Sequence, residues 1–314
     1  MIVRLGYVAI SKALDNITSS STVTYTNYQK IENKNEKLDS VIKSNLEDLI
    51  KILNYNIKNN LHFYRLTSKL IPLATHVKVN FEYVERYKKY YDKIKKLIDS
   101  SNMRVDVHPD QFCVLNSTNK EVLENTFRIL EYHYNILNVI GIKNPVIILH
   151  VGSSVFGKEN SIKRFKNNFY KLPSYIRKCI ALENDDKIYN VSDVLNLCND
   201  LSIPFVLDYH HYICNNTGES IEVYLENIIK TWKTNIPKFH FSSPKNKTKK
   251  DFRSHHDYIN VDDFISFISV LEKYTDKADI MIEAKAKDDA LYRLVRQLKY
   301  MTNYNFIDES TFET

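Results

Sequence analysis

Eight short runs rich in aliphatic and β-branched residues alternate with amphipathic stretches along the 314 residues of the chain, and few folds accept that rhythm. The strand-like runs lie near 2–7, 62–66, 103–108, 145–150, 178–183, 204–209, 237–241 and 279–283. Helical periodicity falls near 38–59, 81–100, 119–140, 159–175, 190–201, 220–233, 261–275 and 287–300, with a polar Ser/Thr-rich loop at 18–29. Strict strand–helix alternation implies a parallel sheet, because each helix carries the chain back to start the next strand in the same direction. The expected fold is α/β, a single-domain (β/α)8 TIM barrel, with a doubly wound open sheet as the alternative. About 250 residues build such a barrel, and a hydrophobic content of 43% is ample for its core. No linker rich in Pro, Gly or Ser divides the chain. Residues 1–302 are expected to form the domain, and the polar, partly acidic residues 303–314 to fray.

The ends of these runs carry the chemistry. Successive runs end on His108, His150, Glu183, Asp208 (with His211 just beyond), His240 and Glu283. In a parallel barrel all C-terminal strand ends open on one face, so these side chains would meet there. One histidine at a strand end is more often a satisfied polar residue than a ligand. Imidazoles and carboxylates gathered at one rim without a shared purpose would be costly to desolvate, whereas together they make a multi-metal site. A metal-dependent enzyme is the expectation.

Composition narrows the class further. The net charge of +6 is compatible with a nucleic-acid ligand without requiring one. Cys113, Cys179, Cys198 and Cys214 form no CxxC pair and read as reduced, buried thiols. The chain enters a strand at once, without a basic leader, and no run approaches 18 uncharged apolar residues. The expected location is the cytoplasm.

Other residues read as rim groups. Lys238 and His240 share a strand face because side chains two apart agree in direction. A lysine there would be repelled by metal cations unless it met phosphate or were chemically modified. Asp208 and His211 are expected to serve neighbouring metals across a strand end and its loop. His210 would point away if the strand continued. One of His255 and His256 is expected to reach a third metal, paired with His211. The lysine-rich run 244–253, including Lys245 and Lys247, follows the seventh strand and would meet phosphate, although a charge run is usually just solvated surface. Arg65, Thr67 and Ser68 are donors suited to phosphate oxygens, and Lys285 could contact phosphate too. Gln111 and Phe112 could be pushed into a base stack, and Tyr7 could stack on a base or sugar. For each of these last groups a packed or solvated side chain is the plain alternative.

Taken in order, ArgLeuGlyTyr (4–7), PheTyrArgLeuThrSerLysLeuIlePro (63–72), HisProAspGlnPhe (108–112), LeuHisValGly (149–152), LeuGluAsnAsp (182–185), LeuAspTyrHisHis (207–211), LysPheHisPheSerSer (238–243), HisHisAspTyrIle (255–259) and GluAlaLysAlaLysAsp (283–288) resemble the UV damage endonuclease family. No single stretch is specific; nine in collinear order are. The resemblance implies a barrel related to endonuclease IV and up to three divalent ions, manganese favoured, with zinc or magnesium as alternatives. It also implies damaged double-stranded DNA as partner, cut 5′ of the photolesion to leave a 3′-hydroxyl, with no membrane and no obligate protein partner. By motif, His108, His150, Glu183, Asp208, His211, His240 and Glu283 would be metal ligands, with Glu183 bridging. His255 is preferred over His256 for the loop ligand. Lys238 would sit beside the metals, His76 near the scissile bond, and Tyr7, Gln111 and Phe112 against the damaged bases. Glu183, Lys238 and His76 would thus be the catalytic set. Phe112 stands where a tyrosine is common, and Ser11 near where some relatives carry asparagine, which puts lesion contacts rather than chemistry in question. The rivals are an apurinic-site endonuclease on the same barrel, a two-metal sugar isomerase and a non-catalytic damage binder.

Overall fold

The computed structural model describes residues 1–248 and 250–314; Lys249, within the lysine-rich run, lies outside the described residues. The strands are β1 (Ile2–Val8), β2 (Phe63–Leu66), β3 (Arg104–Val107), β4 (Ile147–His150), β5 (Ile180–Glu183), β6 (Phe205–Asp208), β7 (Lys238–Phe241) and β8 (Lys277–Ile282). Each pairs in parallel with the next, and β1 pairs in parallel with both β8 and β2. The sheet is therefore closed, which excludes the open doubly wound alternative. The weakest seam is β3–β4, held by the single register pair Val107↔Ile147.

The helices are α1 (Tyr25–Lys30), α2 (Lys34–Lys58), α3 (Lys88–Ser101), α4 (Lys120–Val139), α5 (Lys158–Phe169), α6 (Ser174–Arg177), α7 (Val191–Leu201), α8 (Tyr209–Cys214), α9 (Glu222–Thr231), α10 (Val261–Leu271) and α11 (Asp288–Met301). Asn119, Asn190 and Asn260 cap α4, α7 and α10 by accepting from first-turn N–H groups. The 159–175 stretch splits because Pro173 cannot continue α5. Helix α3 starts at Lys88 rather than near 81 because the Glu82 carboxylate takes the N–H groups of Val84, Glu85 and Arg86. Helix α1 overlaps the end of the 18–29 stretch expected to be loop; Thr24 caps it. Among the described residues no helix is long and apolar enough to cross a membrane.

Inside the barrel the filling is unequal. On the β4–β6 side Ile148, Ala181, Val206 and Trp232 form a small apolar cluster. On the opposite side charged residues replace it. Arg4 and Arg104 both donate to the fully buried Asp279, and Arg104 lies over the Phe63 and Trp232 rings. Above them Lys238 is ion-paired with Asp106, and Arg65 lies 3.7 Å from the same carboxylate. A ladder of paired charges thus runs from the floor of the barrel to its C-terminal rim.

The chain end does not fray. Two short strands, β9 (Asn305–Phe306) and β10 (Thr311–Glu313), fold back, and β10 pairs antiparallel with β1 at Val3↔Phe312. Strand β2 covers β1 only from Gly6 upward, so Ile2–Arg4 would be left as an open edge, and the tail closes it. Phe312 is fully buried and stacks on Tyr304.

Candidate metal centre

Glu183 ends β5 with its carboxylate buried, and imidazoles from four directions face it. His108 Nε2 is 2.8 Å from Oε2 and His150 Nε2 is 3.7 Å away. His240 Nδ1 is 2.9 Å from Oε1 and His211 Nδ1 is 3.4 Å away. Glu283, one residue beyond β8, lies 3.2 Å from His240 Nδ1. Two sets of ligand atoms lie within 4.8 Å of one another, His108–His150–Glu183 and Glu183–Asp208–His240–Glu283, and they share Glu183.

The electrostatics suit cations. Burial pushes Asp208 up to about 8, helped by the neighbouring Glu183 and Glu283 carboxylates and opposed by His211. Burial works against ionised Glu183 too, but His240 and His150 with hydrogen bonds from His108 and His211 outweigh it and hold the carboxyl well below its usual range. Burial lowers His150, and lowers His240 to about 4, so both rings favour the neutral form that a metal ligand needs. Among the described residues, buried His150 Nδ1 and Asp208 Oδ2 have no hydrogen-bond partner. Crowded carboxylates, neutral imidazoles and orphaned buried donor atoms are the chemistry of a divalent-metal site.

Local folding sets two of these positions differently from the sequence expectation. Strand β6 stops at Asp208, which becomes the cap of α8 and accepts from His211 N at 2.7 Å. Asp208 and His211 are thus one helical turn apart rather than across a strand end and loop. His210 turns away, though not because a strand continues: its ring is held by Ser242 Oγ and Phe252 O. The 244–255 loop folds back through Lys245 N–H to Ser254 O, His256 N–H to Ser243 O and a Pro244–His255 bridge. His255 then lies with its ring 6.2 Å from His211, while exposed His256 turns to Tyr258. Of the two loop histidines, the structure brings His255 to the cluster.

Some residues read as substrate contacts are elsewhere. Tyr7 is fully buried, its hydroxyl donating to Asn56 Oδ1 at 2.7 Å and its ring edge-on to Tyr64. It is one residue out of phase with the inward side of β1, so it faces the helical layer and not a base. Arg65 is not free for phosphate either: it is buried against Glu283 (2.5 Å), His240 and Asp106. Thr67 is buried, accepting from Ser20 Oγ, and Ser68 donates to His108 O. Ser11 is buried and donates to Asp288 Oδ2. His76, half-buried, stacks on Tyr25 at 3.9 Å. Lys238 is buried beside Asp106 and lowered to about 7 by burial, against the pull of that carboxylate. Gln111 is exposed and Phe112 is 66% exposed, Lys247 and Lys285 are exposed, and Lys245 lies 3.7 Å from Asp251. Cys214 is only partly buried; all four cysteines are free.

Sequence reasoning missed Asp106, Asn184 and Lys287. Asn184 locks β5 to β6 by exchanging two hydrogen bonds with the Asp208 backbone. Lys287, at φ 57° and ψ −125°, holds a backbone conformation that side chains rarely adopt, four residues after Glu283. The alternation of Arg104, Asp106 and His108 along β3 would have revealed Asp106, since one face must carry all three. A cavity of about 350 Å³ lies beside the cluster, lined by Gln111, His150, Asp185, Asp186 and Arg253 among others. A larger one, about 710 Å³, opens at the opposite end of the barrel around Arg4 and Arg104 and contains none of the cluster residues.

The sequence profile of the family described as UV-endonuclease UvdE matches residues 3–313. The chain is 41% identical to the UV DNA damage endonuclease of Bacillus cereus strain 03BB102, with all of both chains covered. Its structure is similar to the crystal structure of SacUVDE, with a TM-score of 0.85 and 33% identity, covering 95% of this chain and 99% of that one. Endonuclease IV from Thermus thermophilus shares the fold, with a TM-score of 0.60 at 12% identity, covering 95% of this chain and 98% of that one.

Proposed function

The chain belongs to the UV-endonuclease UvdE family, and from that premise we propose that it hydrolyses the phosphodiester 5′ of ultraviolet photolesions in double-stranded DNA, with divalent metal ions and a 3′-hydroxyl product. The observation that carries the reading is Glu183, buried among His108, His150, His211 and His240 at the strand ends, with Asp208 and Glu283 alongside. His108, His150, Glu183, Asp208, His211, His240, His255 and Glu283 would hold the metals, manganese being favoured. Divalent ions bound there supply Lewis acidity toward a phosphoryl oxygen and lower the pKa of water toward neutrality.

The chain's own residues do the rest. Glu183 and Glu283 remain ionised and offer negative charge on two sides of His240. Arg65 fixes Glu283 and His240 in position, which restricts rotation of both groups. His76, held flat against Tyr25, would act near the scissile bond, and Lys238 orders the floor of the site through Asp106. Lys245 and Lys247 on the loop after β7, with Ser68 on the loop after β2, would meet the DNA backbone. Gln111 and Phe112 would enter the base stack, where damage has already lowered the cost of unstacking. The neighbouring 350 Å³ cavity is suited to receive what they displace.

A duplex with one site-specific photodimer and a 5′ label tests the reading. The expected product ends immediately 5′ of the lesion and is extended by a DNA polymerase, which requires a 3′-hydroxyl. A product cut 3′ of the dimer, or one that a polymerase cannot extend, contradicts it.

A further inference from the structure

The loop after β4 begins one residue past His150 and ends at Gly157. It is built to be rigid. Gly152, at φ +107°, lies so close to Asn116 that an added Cβ would be 2.5 Å from Oδ1. Buried Asn116 donates to Ser153 O at 2.6 Å and accepts from Ser153 N–H at 3.1 Å, and the buried Tyr189 hydroxyl donates to the same carbonyl. Val155 O accepts from Ser161 Oγ and from Arg164, whose Nε also binds Asn116 O. Phe156 O accepts from Asn160 Nδ2 at 2.8 Å.

At the tip of this braced loop the chain presents Phe156, 75% exposed and at φ 64°. The positive φ is uncommon for a bulky side chain and persists only where the surroundings impose it. The Arg164 guanidinium lies 6.0 Å from the ring centroid, so the ring has a cationic neighbour on the protein side and solvent on the other. Packing does not explain it. The neighbouring rim loop, after β3, presents a second exposed ring in Phe112. Both loops leave metal-ligand strands, on the face where the anionic duplex must lie.

We propose that Phe156 is a second DNA probe, which packs against or enters a base step beside the lesion while Phe112 enters at the lesion. A rigid apolar side chain suits this task, because stacking on a base is tolerant of sequence and a fixed ring loses little freedom on binding. The inference rests on the DNA-damage reading and adds a specificity residue to it.

The test uses the full-length, manganese-loaded protein on a duplex with one photodimer. It compares wild type with Phe156→Ala, Phe156→Tyr and, as a control, Tyr300→Ala, which removes a more exposed ring (91%) at the far end of α11. Binding is read in parallel by anisotropy in EDTA. The expected result is a KM and Kd about tenfold higher for Phe156→Ala, with kcat and melting temperature unchanged. Phe156→Tyr restores both values, and Tyr300→Ala matches wild type. If Phe156→Ala matches wild type, or loses kcat and thermal stability together, the probe is overturned and the nuclease reading stands. If wild type binds but does not cut, and Phe156→Ala still loses affinity, the probe stands and the nuclease reading falls. Wild type that neither binds nor cuts overturns both.

Discussion

Glu183 joins the two halves of the site, and its charge is what the surrounding imidazoles answer. Glu183→Gln keeps the shape and removes the charge; manganese affinity, measured by titration calorimetry, is expected to fall more than about 100-fold, and incision with it. Asp106 carries a different burden. It neutralises Lys238 and Arg65 in a fully buried setting, and removing one member of a buried pair leaves an uncompensated charge. Asp106→Ala is expected to cost about 3–5 kcal/mol in denaturant unfolding, and Asp106→Leu with Lys238→Met to recover part of that cost. His133 on α4, buried without a role in the cluster, gives a pH signature. Burial, with the nearby His108 charge, pushes it down to about 3, so the folded protein keeps it neutral while the unfolded chain takes a proton below about 6.5. Its contribution is complete above about 6.5 and is lost as pH falls toward 3, by up to about 1.4 kcal/mol per pH unit. Urea melts of His133→Phe against wild type across that range are expected to show a shallower acid limb.

At the scale of elements, strand parity decided what could be read from sequence. Strand ends at or beside His108, His150, Glu183, Asp208 and His240 were legible as a set, because several apolar runs stop on such residues and a parallel barrel opens all those ends on one face. Tyr7 and Arg65 were misplaced for complementary reasons. The first faces the helices and the second faces inward to Glu283 and His240, and apolar patterning does not tell a buried arginine from a phosphate donor. Helix α8 was not legible, since Tyr209–Cys214 continues the strand's composition and only the Asp208 cap turns the backbone. The tail was hidden by its polarity: Phe306, Ile307 and Phe312 are sparse among Asn, Asp, Glu, Ser and Thr, and the edge they cover exists only once β2 leaves the base of β1. Phe312→Ala is expected to destabilise the protein by about 3–5 kcal/mol, whereas a frayed tail would leave the unfolding midpoint unchanged.

For the whole molecule, the closed barrel gathers the His, Asp and Glu cluster at the C-terminal strand ends, and the cavity at the opposite end contains none of it. Charged pairs fill much of the interior, an unusual lining for a fold whose core is commonly branched aliphatic, and they tie the floor to the rim from Asp279 through Lys238 and Asp106 to Arg65 and Glu283. The most direct test of the central claim is nicking of supercoiled plasmid, irradiated or untreated, by purified protein with manganese or with EDTA. Nicking confined to irradiated plasmid with manganese, and abolished in Glu183→Gln, is the expected result. Cutting of depurinated but not irradiated plasmid, or of none despite bound metal, would contradict it.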